Sequence, residues 1–163
     1  MTAFKHVLVP TDFGESAGRA LDLAIEIAAQ SGAKITLLHA WVMPSAYAAY
    51  QPSIPWPEDD LRREARMALD GALAKATARY PNVESALVHG EPWREILERA
   101  TEGDVDLIVM GTHGRRGLSH VFLGSAAEKV VRMSPVPVMT VSAESEKKAK
   151  ASTRAHLATA TKP

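Results

Sequence analysis

The chain has 163 residues, no cysteine, and 19 lysines and arginines against 19 aspartates and glutamates. Its length predicts one domain with a core that needs no covalent cross-links. Without cysteine, disulfides, thiolate metal sites and a cysteine nucleophile are excluded, and the balanced charge does not indicate binding to nucleic acid. No signal-peptide pattern and no membrane-spanning apolar run of ~20 residues is visible. We therefore expect a cytoplasmic protein with no membrane contact.

Five short segments have the composition of β-strands, at residues 7–9, 35–38, 83–88, 107–110 and 136–141. The first, second and fourth are continuous apolar runs, which are typical of parallel strands that are covered on both faces. The third is more mixed and should lie nearer an edge. The fifth contains Pro137 and follows Pro135, so it should begin at or lie on an edge, because proline cannot donate to a strand ladder.

Helical periodicity fills the gaps at residues 15–30, 59–80, 92–100 and 125–133. Strands and helices therefore alternate from the first strand to the last. This order predicts an α/β fold with a single doubly wound, five-stranded, mainly parallel sheet and helices on both faces, in a Rossmann-like architecture. In such folds a ligand binds beyond the carboxyl ends of the strands, where the strand order reverses.

Two segments do not fit this alternation. Residues 41–57 form a long connection that is rich in proline and aromatic residues. It is either a lid that becomes ordered over a ligand or a connection packed permanently on the second helix. Residues 142–163 are polar and rich in alanine, which predicts a disordered tail after a domain at residues 1–141.

The loop at residues 111–125 leaves the fourth strand and enters the last helix. Gly111, Gly114 and Gly124 allow a backbone to come close to a ligand, and Gly124-Ser125 opens a helix whose free N–H groups favour an anion. The pattern lacks the Gly-Lys-Ser/Thr of the Walker A loop and the dinucleotide fingerprint G-x-G-x-x-G. Taken alone, it is equally consistent with a glycine-rich turn before a capped helix.

The spacing Gly111-x2-Gly114-x9-Gly124-Ser125 resembles the ATP-binding signature of the universal stress protein family. Other segments look like further parts of that family at the right intervals. They are the first strand and its loop at 7–12, the end of the second strand at 37–40, the turn at 89–92 and the last strand at 136–139. The similarity covers residues 4–141 and is far more specific than the glycines alone.

The resemblance implies an ATP site, with Mg²⁺ carried by the phosphates, and an adenine-nucleotide alpha-hydrolase-like fold. Adenine would lie against Ala40 and beside Met110, and Arg115 matches a basic position after the second glycine. Ala40 replaces a more usual valine, which would loosen the adenine pocket. The residues expected to bind the nucleotide are Pro10, Thr11, Asp12, Ala40, Met110, Gly111, His113, Gly114, Arg115, Gly124, Ser125 and Ala126.

In the family the aspartate after the first strand binds the ribose. The matching residue in this sequence is Asp12. Its position after a central strand agrees, because the glycine loop lies on the same rim. The alternative is that Asp12 caps the first helix. His113 would either donate to a phosphate or be a solvated loop residue. We expect His39 to be a packed, hydrogen-bonded histidine, and the histidine spacings do not indicate a metal site.

Three functions remain open. The first is a regulatory stress-response protein that binds ATP and is not an enzyme. The second is a slow ATPase or phosphotransferase, which the absence of a lysine clamp and a base disfavours. The third is a nucleotide-free interaction module. The exposed edge predicted at 136–141 could pair two copies about a two-fold axis, and members of the resembled family commonly dimerise there. A further protein partner is expected but not identified.

Overall fold

A computed structural model describes residues 4–43, 58–112 and 124–142. Strands and helices alternate in it as predicted. The strands are β1 (His6–Pro10), β2 (Lys34–Trp41), β3 (Val83–His89), β4 (Leu107–Gly111) and β5 (Val138–Val141), and the helices are α1 (Glu15–Ser31), α2 (Glu58–Thr77), α3 (Pro92–Glu102) and α4 (Ser125–Met133).

The five strands form one sheet in the order β3-β2-β1-β4-β5. Each neighbouring pair is parallel, so the sheet is entirely rather than mainly parallel. The predicted α/β fold is confirmed, and β3 and β5 lie at the edges as expected. The chain runs outward in both directions from the β1–β4 pair, so the strand order reverses there. A crevice is expected at the carboxyl ends of these two strands.

Helices cover both faces of the sheet, as predicted. On one face Val7 and Val9 of β1 pack in a core with α1 and α2, where Leu69 is fully buried. On the other face Leu8 packs with Ile96 of α3 and with α4. Successive residues of a strand point to opposite faces, so the continuous apolar run of β1 serves two cores. This double coverage fixes β1, and therefore the loop that follows it, at the centre of the molecule.

Two predicted boundaries were wrong, and in both places contacts with another element accompany the difference. The second helix ends at Thr77 rather than at residue 80. Its chain then turns so that the Tyr80 hydroxyl donates to the carbonyls of Ala28 and Ala33, at 3.2 and 2.8 Å. The last strand begins at Val138 rather than at residue 136. Pro137 takes part only through its carbonyl, which accepts from the Ile108 N–H at 3.0 Å.

A third boundary differs at the end of β2. Trp41 was predicted to begin the long connection, but it is the last residue of β2 and lies opposite His89 of β3. Its ring is buried and lies 4.3 Å from the His89 ring, centroid to centroid. β2 therefore continues beyond the apolar run at 35–38 that predicted it, as far as the contact between Trp41 and His89.

The predicted lid at residues 41–57 and the predicted tail at 142–163 lie largely outside the described residues, and both stay predictions. Among the residues that are described, no helix combines the length and apolarity needed to cross a membrane.

Candidate functional site

A cavity of about 260 Å³ opens at the carboxyl ends of β1, β2 and β4. It therefore lies at the point where the strand order reverses. Nine of the residues predicted to bind a nucleotide line it: Pro10, Thr11, Asp12, Ala40, Met110, Gly111, Gly124, Ser125 and Ala126. The other three, His113, Gly114 and Arg115, lie outside the described residues.

Much of the cavity wall is apolar. Leu38 and Met110 contribute from the sheet, and Pro92 and Ile96 contribute from α3. Leu38, Pro92 and Ile96 were not predicted as site residues. Leu38 and Ile96 lie in predicted apolar elements and Pro92 in the turn before a predicted helix, and the sequence gives no signal that a cavity opens between them. An apolar slot with a few polar groups at its rim is typical of small-molecule sites.

Asp12 provides the polar group with the clearest capacity to bind a ligand. Its Oδ1 accepts a hydrogen bond from the Gly14 N–H at 2.9 Å. Its Oδ2 is buried and has no hydrogen-bond partner in the described part of the chain. An unpaired buried polar atom costs about 1–3 kcal/mol, so a ligand hydroxyl that donates to Oδ2 would recover this free energy.

The two roles considered for Asp12 are divided between its two oxygens. The residue at the N-cap position of α1 is Gly14, and no side chain caps that helix. Oδ1 nevertheless holds the turn before α1 through the Gly14 N–H. The local structural role therefore uses one oxygen and leaves the other for a ligand.

The turn between β1 and α1 has an unusual backbone. Phe13 has φ 64°, in a region that non-glycine residues rarely adopt. Its N–H donates to Thr11 Oγ1 at 3.0 Å, and its ring lies 4.4 Å from the His39 ring, centroid to centroid. His39 Nδ1 donates to the Thr11 carbonyl at 2.7 Å, which confirms that His39 is a packed, hydrogen-bonded histidine.

The first turn of α4 forms another wall. Gly124 is its N-cap residue, and no side chain among residues 4–43, 58–112 and 124–142 caps the helix. The first N–H groups of a helix have no partner within it, and the helix dipole makes that end partly positive. Ser125 and Ala126 belong to this turn and line the cavity. The arrangement suits an anion such as a phosphate.

Two glycines of the predicted loop have different structural roles. At Gly111 an added Cβ would lie 2.9 Å from both the Ala17 nitrogen and the Ser16 carbonyl carbon, and would also contact Ser16 Oγ. Gly111 therefore allows β4 to pack closely against α1. Gly124 instead closes the loop, since its N–H donates to the Thr112 carbonyl at 2.7 Å.

The opposite, amino-terminal edge of the sheet carries two acids that flank the start of β4, Asp104 and Asp106. The Asp106 carboxylate accepts from the Lys5 and His6 backbone N–H groups at 2.7 and 3.2 Å. Asp104 accepts from His6 Nδ1 at 2.7 Å. Neither acid lines the cavity. Within the described residues, no group of three or more histidines and acids could hold a metal ion.

A chain of hydrogen bonds continues along this edge from His6. The ring Nε2 lies 2.7 Å from Thr36 Oγ1, and the Thr36 hydroxyl donates to Glu84 at 2.7 Å. The Thr36 hydrogen bond lowers the pKa of Glu84, and the His6 hydrogen bond lowers the pKa of Asp104.

Comparison with known proteins identifies the family. Residues 3–142 match the profile of the Universal stress protein family. The chain belongs to this family. The universal stress protein YxiE of Bacillus subtilis is 34% identical over 146 residues, an alignment that covers 85% of this chain and 99% of YxiE. The family resemblance found in the sequence is therefore confirmed.

Solved structures of the family share the fold. The universal stress protein UspA from Lactobacillus plantarum is 25% identical, with a TM-score of 0.71 over 86% of this chain and 99% of UspA. A universal stress protein whose structure was solved in complex with cAMP is 29% identical, with a TM-score of 0.64. The alignment covers 86% of this chain and 98% of that protein's chain.

Proposed function

We propose that this universal stress protein binds ATP in the cavity and acts as a nucleotide-dependent regulatory protein of the stress response. The observation that carries the proposal is the buried Asp12 Oδ2, which has no partner among the described residues, in a cavity that is also lined by apolar side chains and by the first turn of α4. These three features match, in order, the hydroxyls, the base and the phosphates of a nucleotide.

The lining residues suggest how ATP would lie. The base would occupy the apolar slot between Ala40, Met110 and Ile96. The ribose hydroxyls would donate to Asp12. The phosphates would reach the first turn of α4 at Ser125 and Ala126, with Mg²⁺ carried on the phosphates themselves.

The cAMP-bound relative supports an adenine nucleotide in general. cAMP and ATP share adenine and ribose and differ in their phosphates. Our preference for ATP therefore depends on the loop, because the spacing Gly111-x2-Gly114-x9-Gly124-Ser125 resembles an ATP-binding signature.

We further propose that ATP is a signal rather than a substrate. Efficient phosphoryl transfer needs a cationic clamp, metal-holding carboxylates and a group that orients the nucleophile. Asp12 is the acid that lines the described cavity, while Asp104 and Asp106 lie at the other edge. Phosphate release measured over hours tests this proposal. Several turnovers within an hour would favour the slow ATPase instead.

Titration calorimetry with ATP tests the site. We expect binding by the wild type and none by a Gly114→Val, Gly124→Val double variant, because β-branched side chains prevent close backbone approach. Gly71→Ala is a matched control, since Gly71 lies on α2, away from the cavity, with open space around its Cβ position. Equal affinity in the wild type and the double variant would contradict the placement. Absence of wild-type binding would favour a nucleotide-free interaction module.

The edge strand supports a second proposal, that two copies of the chain pair through β5. Among the described strands β5 is the last of the sheet, with β4 on one side and no strand on the other. Met139 on β5 is 42% exposed, and Met133 of α4, close to it in the chain, is also exposed. Sedimentation should give twice the monomer mass for the wild type and a shift toward monomer for Met139→Asp. Met67→Asp, at an exposed methionine on α2, is the control and should remain dimeric.

A further inference from the structure

The strained turn after β1 lies directly behind the ribose position proposed above. A non-glycine residue at positive φ costs about 1–3 kcal/mol and persists only where its surroundings hold it there. Phe13 does not line the cavity, so its conformation is not explained by contact with a ligand. Its effect on the site must pass through its neighbours, Asp12 and Gly14.

The structure shows what holds the turn. The Phe13 N–H is bound to Thr11 Oγ1 at 3.0 Å, and its ring packs against His39. The His39 ring is itself held in place because Nδ1 donates to the Thr11 carbonyl at 2.7 Å. The Thr11 N–H donates to the Leu38 carbonyl of β2 at 2.8 Å. The turn is thus attached to the neighbouring strand through both backbone and ring.

The consequence of this attachment is the orientation of Asp12. With Phe13 at φ 64°, the chain reverses tightly enough for Asp12 Oδ1 to reach the Gly14 N–H at 2.9 Å. That bond fixes the carboxylate plane and leaves Oδ2 buried without a partner. If the turn relaxed to negative φ, the Oδ1 bond would be lost and the carboxylate could rotate to water.

We propose that Phe13 and His39 are positioning residues that make the site select nucleotides by their ribose hydroxyls. The inference rests on the proposed nucleotide function. A carboxylate oxygen held away from water can only accept, so it gains a partner from the ribose hydroxyl that faces it and loses that partner in the deoxy analogue that lacks this one hydroxyl. Sites that are built to bind a hydroxyl reject the analogue that lacks it, because their own buried group is left unpaired.

Affinity ratios test the proposal. Dissociation constants for ATP, 2′-deoxyATP and 3′-deoxyATP are measured by calorimetry on the full chain. We expect the wild type to prefer ATP over at least one deoxy analogue by about tenfold or more, which corresponds to one unpaired buried polar atom. Phe13→Leu, which lacks the ring, should reduce this ratio to about onefold to threefold, whereas Phe13→Tyr, which keeps the ring, should retain it.

A second pair of variants tests the hydrogen bond. His39→Leu removes the donor to the Thr11 carbonyl and should lose the preference. His39→Asn can still donate from its amide nitrogen and should keep it in part. If the two residues had a purely structural role, their loss would lower the melting temperature and reduce the affinity for all three nucleotides by the same factor. The ratio of the affinities for ATP and its deoxy analogues would then be unchanged.

The outcomes separate this inference from the proposed function. If the wild type binds no adenine nucleotide, the proposed function fails. If it binds ATP and the deoxy analogues equally, or if both leucine variants keep the wild-type ratio, nucleotide binding stands and the positioning role of Phe13 and His39 is overturned.

Discussion

At the amino-terminal edge of the sheet, His6 and Thr36 are buried and hydrogen-bonded to each other and to acids on either side. At the carboxyl-terminal edge, Asp12 is bound through one oxygen while the other is buried without a partner in the described residues. The strained Phe13 and the start of α4, whose N-cap residue is Gly124, belong to this second edge.

The difference shows where the fold gains stability and where it keeps groups available for a ligand. Satisfied polar networks stabilise one arrangement of a core, whereas unpaired groups and backbone strain cost free energy and persist at functional sites. Mutations at the amino-terminal edge should therefore lower the free energy of unfolding and leave the affinity for the nucleotide unchanged. Mutations of the Asp12 carboxylate at the carboxyl-terminal edge should do the reverse, whereas a glycine at that edge that packs two elements together, such as Gly111, should affect both.

The largest effect on stability is expected for His6→Ala. The change removes a fully buried ring and leaves the Thr36 hydroxyl without one of its partners. We expect a loss of about 3 kcal/mol in the free energy of unfolding, measured by urea denaturation, with ATP affinity unchanged. Lys5→Ala, at the exposed neighbouring position, should cost little. A weakened ATP affinity in folded His6→Ala would show that the two edges are coupled.

Gly111→Ala should have the next largest effect, about 1–3 kcal/mol, because the new methyl group overpacks β4 against Ser16 and Ala17 of α1. It should also weaken ATP binding, since α1 follows directly on Asp12. The matched control is Gly18→Ala on α1, where the Cβ position is open. That control should stabilise the protein by up to about 1 kcal/mol. Equal melting temperatures for the two variants would contradict this packing role.

Asp12→Asn should change stability by less than about 1 kcal/mol, because Oδ1 can still accept from Gly14. ATP affinity should fall by about 1–3 kcal/mol, since the charged acceptor is lost. Both quantities are measured on the same preparation. A fall in melting temperature with unchanged affinity would mean that Asp12 acts only on the turn.

The smallest effect is a pH dependence at the amino-terminal edge. In the folded state the pKa of Glu84 is lowered from its ordinary value of 4.5, chiefly by the Thr36 hydroxyl. A lowered folded-state pKa contributes stability above the unfolded value, and this is lost as pH falls through the folded one. The stability of wild type relative to Glu84→Gln should therefore be constant near neutral pH and shrink below 4.5. A difference that grows on acidification would contradict this assignment.

The sequence predicted most of this architecture because its apolar runs and helical periods are local signals. The resemblance to the family also pointed to nine of the residues that line the cavity, among them Asp12, Met110 and Gly124, but not to Leu38, Pro92 or Ile96. The predictions for the end of α2, the start of β5 and the place of Trp41 were wrong. Contacts with other elements decide these points, made by Tyr80, Pro137 and His89 respectively.

The features that distinguish the two edges were beyond sequence reasoning. His6 meets Asp104 and Thr36 across 98 and 30 residues of chain, and His39 meets the Thr11 carbonyl across 28. The positive φ of Phe13 has no composition signal, since phenylalanine does not favour it. Such contacts depend on the packed fold, which a periodic pattern does not contain.

The strand order also has a consequence for synthesis of the chain. β1 is translated first, yet it lies in the middle of the sheet, and its second neighbour, β4, begins only at Leu107. At about 5–20 residues per second, translation reaches β4 roughly 5–20 s after β1. Throughout that interval one side of an apolar central strand has no partner, and such an edge can pair with another chain. A nascent chain stalled before Leu107 should therefore be the species that most requires a chaperone.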